Sequence, residues 1–353
     1  MVTGHLEIET KFDVGEAFEL PTLGGLDGVA SVDPPVEHGL EAVYHDAEDL
    51  RLLQARVTLR RRTGGPDAGW HLKLPAGTAR RELHAPLEGA VKKPPPDLVA
   101  PVLGILRGAP TGPVATLRTR RLVTTLRSEG GRVLAEVADD TVTATALAEG
   151  AAQPAEVLVW REVEVELGDG DAVLASAVAE RLMAAGARAS EFPSKVGRAL
   201  ADRLACASAA PPDTTKQGGK GPTAGEFVQE ALREQVGALQ AADVLLRTEQ
   251  PDAVHQVRVA ARRLRSTLAA FRVVLDRDAT EPLREELAWL GVELSAARDD
   301  EVALAHLREV VAAERDELVL GPVAARLQQM QLREGRAGLD RALETISGPR
   351  YLR

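Results

Sequence analysis

Apolar and polar positions alternate with period two through much of the chain's first half, the spacing that sends successive side chains to opposite faces of a strand. It predicts strands over His5–Phe12, Ala42–His45, Val57–Thr63, Trp70–Pro75, Arg80–Leu87, Ala115–Arg127, Arg132–Val137, Thr141–Thr145 and Val157–Leu167, several of them parted by glycine-rich turns. Helical spacing interrupts at Pro96–Leu106, Asp171–Ala185 and Ser194–Ala205. Residues 207–225 are small, polar and rich in Pro and Gly, which predicts a flexible linker. Beyond it Ala, Leu, Arg and Glu recur with helical spacing and lysine is absent. The expected domains are 1–206, built of antiparallel strands with flanking helices, and 226–353, a helical bundle.

Charge changes the meaning of that alternation. Glu7, Glu9 and Lys11 share one face of their strand, and so do Glu162, Glu164 and Glu166, with Val163, Val165 and Leu167 opposite. Arg60 and Arg62 pair in the same way, as do Arg118 and Arg120. An ordinary wet sheet face mixes signs and includes Thr, Gln and Ser. Here the strands sort by sign, although like charges two apart on a strand repel one another. A site for divalent cations and a multiply charged anion gains from that sorting, because carboxylates hold hard metals and arginines clamp phosphate oxygens through paired donors. The consistent picture is a closed sheet with a polar interior and helices outside.

Composition narrows the classes. The 353 residues are 44% hydrophobic and 27% charged, in the globular range, and long enough for two domains. Lys+Arg 43 against Asp+Glu 53 gives a net charge of -10, so no excess of cations is available to coat a nucleic acid. The single cysteine, Cys206, excludes a disulfide framework and a cysteine zinc site. No apolar run approaches membrane-spanning length and the first residues lack a leader pattern, so a soluble, cytoplasmic protein is expected.

At these residues the first half resembles the CYTH family of triphosphate-tunnel enzymes. The matches are ExExK at Glu7, Glu9 and Lys11, LRRR with Arg60 and Arg62, HLKLP with Lys73, and RRE at Arg80–Glu82. They continue in VATLRTRR with Arg118 and Arg120, AEVADD with Glu136 and Asp140, WREVEVEL with Glu162, Glu164 and Glu166, and SKVGRAL with Lys195. The resemblance covers roughly residues 3–205 and implies an eight-stranded antiparallel β-barrel, open as a tunnel. It implies a triphosphate cradle of Lys11, Arg60, Arg62, Lys73, Arg80, Arg118, Arg120 and Lys195. It also implies metal ligands among Glu7, Glu9, Glu162 and Glu164, with Glu136, Asp140 and Glu166 as further ones, for Mg2+ or Mn2+. Glu7, Glu9 and Lys11 are the expected catalytic set.

In the second half, His255, Arg258, Arg262 and Arg265 fall within about 80° of one helix face, at about 100° per residue. Val257, Leu264, Leu268, Phe271 and Leu275 lie opposite, and no acid occurs between Gln256 and Arg272 to pair with the arginines along the helix. These residues resemble the CHAD family of helical domains, associated with inorganic polyphosphate, together with a second match over Leu290–Val302. The family pattern has two basic helices and this chain shows one, which implies a half-length or truncated domain, or two copies associating as a homodimer.

The reading that follows is metal-dependent hydrolysis of inorganic triphosphate, or of related nucleoside triphosphates, with the helical domain binding polyphosphate. Its rivals are a class IV-type adenylyl cyclase and a non-catalytic polyphosphate-binding adaptor. His5, His45, His71, His84 and His306 lack metal-ligand spacing, and Tyr44, Trp70 and Trp160 read as packing residues.

Overall fold

A computed structural model of the chain describes residues 2–87, 92–147, 156–208, 223–295, 306–315, 319 and 321–353. The chain divides into two compact units, Met1–Val99 with Ala109–Pro212, and Ala100–Gly108 with Asp213–Arg353. Residues 209–222, most of the expected linker, lie outside the described residues.

The first unit is one curled antiparallel sheet. Its strands are β1 (Thr3–Glu7), β2 (Glu9–Val14), β3 (Ser31–Val32), β4 (Val36–Asp46), β5 (Thr58–Thr63), β6 (Gly69–Ala76), β7 (Ala79–Pro86), β8 (Gly112–Arg127), β9 (Val133–Ala146), β10 (Glu156–Leu167) and β11 (Arg188–Ala189). The order is β1-β7-β6-β5-β4-β8-β9-β10-β2-β11, with β3 on β8. β1 and β2 are one stretch of chain parted at Ile8, so the two ends of the sheet meet in Thr3–Val14. With that stretch counted once and the two-residue strands β3 and β11 set aside, eight strands surround the interior.

Two strands depart from the sequence expectation. Arg132–Val137 and Thr141–Thr145 are not separate strands but parts of β9. The acids between them, Asp139 and Asp140, mimic a turn in sequence, yet each is held in the sheet by an arginine, Arg161 and Arg121 respectively. β4 is longer than the expected Ala42–His45, and the β5–β6 turn folds closely over it: a Cβ on Gly64, whose φ is 80, would stand 2.1 Å from the Gly39 carbonyl oxygen.

The apolar core of this unit lies outside the sheet and at one end of it. Helices α1 (Arg51–Gln54), α2 (Pro96–Val99) and, in the second unit, α3 (Leu103–Leu106) are short; α4 (Ala172–Ala184), α5 (Lys195–Ala199) and α6 (Ala201–Ser208) follow. Asp171 caps α4 by accepting from the Leu174 amide, and Leu174, Val178 and Leu182, four apart, cover Phe12, Val137, Val163 and Val165 on the outer sheet face. Each such buried side chain contributes about 1.5–3 kcal/mol. At one end, Val196, Ala199 and Leu200 pack with Leu117, Val142, Ala144 and Trp160. With most of the carbon buried there, the interior is lined mainly by charged and polar side chains.

The second unit is helical: α7 (Ala224–Arg247), α8 (Ala253–Ala270), α9 (Arg277–Glu293) and α10 (Val323–Ser347). Thr223 and Glu226 form a reciprocal capping box at the start of α7. Leu246, Val257, Ala261, Leu290, Leu294 and Ile346 make its core. Arg247 bonds to the buried Asp243 at 2.8 Å and to the Ile346 carbonyl, which ties α7 to α10. The basic helix ends at Ala270, short of the expected Leu275, and most of the Leu290–Val302 match, from residue 296, lies outside the described residues.

Candidate active site

The curled sheet encloses a cavity of about 500 Å³. Its lining follows strand parity: Glu7, Glu9 and Lys11 from β1 and β2, Arg60 and Arg62 from β5, Lys73 from β6, Arg80 from β7, Glu136 from β9, Glu164 and Glu166 from β10, and Lys195 from the first turn of α5. Ser194 accepts from the Gly197 amide as the α5 cap, which fixes the turn that points Lys195 inward. Asp140 and Glu162 reach the same cluster through Lys195. Charges spread over most of the first half's sequence therefore converge on one enclosed space.

The acids fall into two groups. In the first, ligand oxygens of Asp140, Glu162 and Glu164 lie within 4.8 Å of one another. Cations already meet them: the Lys195 ammonium is 3.0, 2.7 and 2.5 Å from Asp140, Glu162 and Glu164. Arg121 donates to Asp140 at 2.8 and 2.6 Å and also to Glu164, which Lys11 contacts as well. Burial would raise Glu164, but Lys11, Lys195 and Arg121 outweigh it and hold its pKa well below the usual carboxylate range.

The second group is short of cations. Glu166 stands opposite Glu9 on β2 and opposite Glu136 on β9, three carboxylates abreast. Glu7 is held by Lys73 at 2.6 and 2.5 Å, and Glu9 by Lys11 at 3.1 Å. Burial, together with Glu7, Glu9 and Glu136, pushes Glu166 up to about 7. Burial also raises Glu7, against the pull of Lys73, whereas Lys11 and Lys73 overcome burial at Glu9 and keep it low. An all-oxygen set with unbalanced negative charge is the donor chemistry a hard divalent cation fits. The buried Asp140, Glu162 and Glu164 could also bind a metal, in competition with Lys195.

Two expected cradle residues are not in the cavity. Arg118 and Arg120 point outward, 76% and 58% exposed at the side chain, and pair with Glu41 at 3.1 Å and Glu37 at 2.7 Å on β4. Parity is the reason: Leu117, Thr119, Arg121 and Val123 are the β8 residues facing in. Arg121, absent from the sequence-derived set, takes the place expected for them. Asp139 likewise faces away, bonded to Arg161, while Asp140 is fully buried on the inner side.

The sequence reading also passed over Glu82, His71 and Tyr44, which line the cavity. Glu82 bonds to His71 and lies 3.2 Å from Lys73 and 4.0 Å from Arg60. Although buried, it is held far below the usual carboxylate range by His71, Lys73 and Arg60. Burial keeps His71 near neutral form, with its pKa lowered to about 4 despite Glu82. Tyr44 accepts from Arg60 at 3.4 Å. The available signal was Glu82 itself, two residues from Arg80 and hence on the same face. Burial, then Arg60 and Arg121, lowers Arg62 to about 10, a measure of how densely positive that end is.

In the helical unit, His255 and Arg258 are half-buried and Arg262 and Arg265 exposed. Val257, Leu264 and Leu268 are buried on the opposite side of α8. None of the four basic side chains has a hydrogen bond or ion pair with the described residues.

A closed, charge-lined antiparallel sheet of this kind defines a triphosphate-tunnel protein. The CYTH domain model matches residues 5–196 and the CHAD domain model residues 230–353. The chain belongs to the CYTH family, with a CHAD domain following. Two uncharacterised proteins of Mycobacterium tuberculosis, from strains CDC 1551 / Oshkosh and ATCC 25618 / H37Rv, are each 39% identical over 360 residues, 99% of this chain and 68% of theirs. Among solved structures, a candidate adenylate cyclase of Bacillus halodurans is similar at 17% identity and a TM-score of 0.36, over 55% of this chain and 97% of its own. A Hippeastrum protein first assigned as an adenylyl cyclase and described with a dominant triphosphatase activity is similar at 14% and 0.31, over 56% and 96%. Among the described residues no helix is long and apolar enough to cross a membrane.

Proposed function

We propose that this protein hydrolyses inorganic triphosphate with the help of a divalent metal, Mg2+ or Mn2+, and that its helical domain binds polyphosphate. The observation that carries the reading is the shared enclosure of Lys11, Arg60, Arg62, Lys73, Arg80, Arg121 and Lys195 with two separate acidic groups. A cavity meant only to grip an anion has no use for Glu9, Glu136 and Glu166 side by side.

In this scheme water attacks the terminal phosphorus, the bridging P–O bond breaks, and orthophosphate and pyrophosphate leave. Little covalent chemistry falls to the protein, which positions the chain of phosphates and offsets charge spreading over the transferred group. Arg60, Arg62 and Lys73, on neighbouring strands, hold phosphate oxygens, and Arg80 and Lys11 hold those at the end of the cavity near the β6–β7 turn. Glu9, Glu136 and Glu166 would hold the metal, with Glu7 kept in place by Lys73. Such an ion supplies charge neutralisation and a more acidic bound water. Lys195 and Arg121 hold the Asp140–Glu162–Glu164 group in place, and Glu82 positions Lys73 and the neutral imidazole of His71. Exclusion of bulk water strengthens each of these charge contacts.

The test is phosphate release from tripolyphosphate with Mg2+ or Mn2+ and with a chelator, with ATP products analysed in parallel. Metal-dependent release is expected, with Glu9→Gln slower by roughly 100-fold or more at unchanged circular dichroism. No release with either metal, or cyclic AMP and pyrophosphate from ATP, overturns the hydrolase reading.

A further inference from the structure

Helix α1 ends in a left-handed turn: the Val57 amide donates to the Leu52 carbonyl at 2.8 Å and the Arg56 amide to the Leu53 carbonyl at 2.9 Å. Val57 and Leu52 are buried beneath the turn. Glycine is the usual residue at the left-handed position of this motif, because a Cβ there crowds the following carbonyl. This chain places Arg56 there, at φ 60.

That side chain is exposed and has no hydrogen bond or ion pair with the described residues. It is not among the residues lining the triphosphate cavity, but it lines an adjoining cavity of about 230 Å³ at the β6–β7 turn. The two cavities share Glu9, Lys11 and Arg80. Glu9 is met by Lys11 at 3.1 Å and by Arg80 at 4.0 Å, and Arg80 also donates to the Pro193 carbonyl at 3.0 Å. The annex therefore carries Arg80, which lines both cavities and is only partly offset by Glu9, and the unpaired Arg56, which lines the annex but not the main cavity. A linear chain of phosphates longer than the cavity would leave through the annex.

We propose that Arg56 is a specificity-determining residue that binds the fourth phosphate of a linear polyphosphate whose first three occupy the main cavity. The proposal rests on the triphosphate reading of that cavity. A free, planar guanidinium suits a phosphate oxygen that must be bound and released each turnover. Arg56 also lines a larger, carbon-rich cavity of about 490 Å³ with Leu53, Phe192 and Leu204. The organic end of a nucleoside triphosphate is the occupant that cavity would take, and it is the competing outcome below.

The experiment compares the whole protein with Arg56→Gly and Arg56→Lys on tripolyphosphate, tetrapolyphosphate and ATP, by steady-state kinetics and by calorimetric binding in the presence of Mg2+. Arg56→Gly relieves the left-handed backbone, so its melting temperature is expected to hold or rise. Its KM for tetrapolyphosphate should rise about tenfold, with kcat and the tripolyphosphate constants within twofold; Arg56→Lys should recover part of the loss. The difference should shrink in high salt. Equal effects on both polyphosphates, no effect on either, or an effect on ATP alone overturns the proposal. If the wild-type protein cleaves no triphosphate, the hydrolase reading fails, while the binding comparison of three against four phosphates still decides Arg56. If neither polyphosphate binds, both readings fall.

Discussion

Three arginines crowd into VATLRTRR, and only one of them faces inward, so substituting each in turn separates cavity from surface. Arg121 spends two nitrogens on Asp140, which is fully buried, and one of these also on Glu164. In Arg121→Ala, Asp140 keeps Lys195 alone, at 3.0 Å, for its charge. Breaking a buried pair on one side costs on the order of 3–5 kcal/mol. For a unit of about 200 residues that is a fall in melting temperature of roughly 6–20 °C. Arg118 and Arg120 pair across strands in water, at a worth of about 0–1 kcal/mol, so Arg118→Ala and Arg120→Ala should melt within a few degrees of wild type. Arg121→Lys keeps the charge without the paired donors and should fold, which isolates the kinetic effect. Its tripolyphosphate kcat/KM should drop by roughly 100-fold, while the two outer alanine variants stay within about threefold. Thermal melts and phosphate release read both quantities on the same preparations. Loss of activity in Arg118→Ala or Arg120→Ala, with Arg121→Lys unimpaired, would refute the assignment of inward and outward faces on β8.

Two further outcomes follow from other parts of the chain. Reversing charge on α8 with Arg262→Glu and Arg265→Glu, both exposed, should weaken polyphosphate binding at least tenfold and flatten its salt dependence, with tripolyphosphate turnover unchanged; equal binding by wild type and variant in a filter or calorimetric assay would remove α8 from the interface. His45 is buried with no partner for Nδ1, and burial, then Arg61, lowers its pKa from 6.5 to about 4. Between those values the unfolded chain binds a proton that the folded chain does not, so this group's contribution is present above pH 6.5 and lost as pH falls towards 4. Over that window wild type should lose about 3 kcal/mol more stability than His45→Asn, as read by urea titrations at successive pH values; parallel curves would contradict the buried neutral imidazole.

Much of the tunnel was legible in sequence because strand alternation is strict. Glu7, Glu9 and Lys11 share a face whatever the sheet does, and so do Glu162, Glu164 and Glu166. The β8 error arose where alternation carries no information: arginine occupies positions of both parities, at 118, 120 and 121, and all three have a plausible apolar neighbour. What decides between them is register, since Arg121 stands directly opposite Asp140 on β9. Register depends on a partner strand and is not written in either strand alone. His71 was set aside for lack of metal-ligand spacing, but its role is to bond Glu82 across the β6–β7 ladder, a contact between residues whose joint meaning appears only once the hairpin forms.

The stretch Thr3–Val14 has one further consequence. It hydrogen-bonds β7 with its first half and β10 with its second, so the ring of strands is shut by a segment that emerges early and must wait for a partner more than a hundred residues later. The bond between Lys11 and Glu164 spans 153 positions. Sealing of this kind is slow, because such distant pairing sacrifices chain freedom before any contact repays it. It is also all-or-none for chemistry: the basic side chain of β2 and the acids of β10 share a pocket only after the seam has zipped. Maturation of the binding chamber and completion of the ring are thus a single event, and a partly assembled intermediate has no complete pocket.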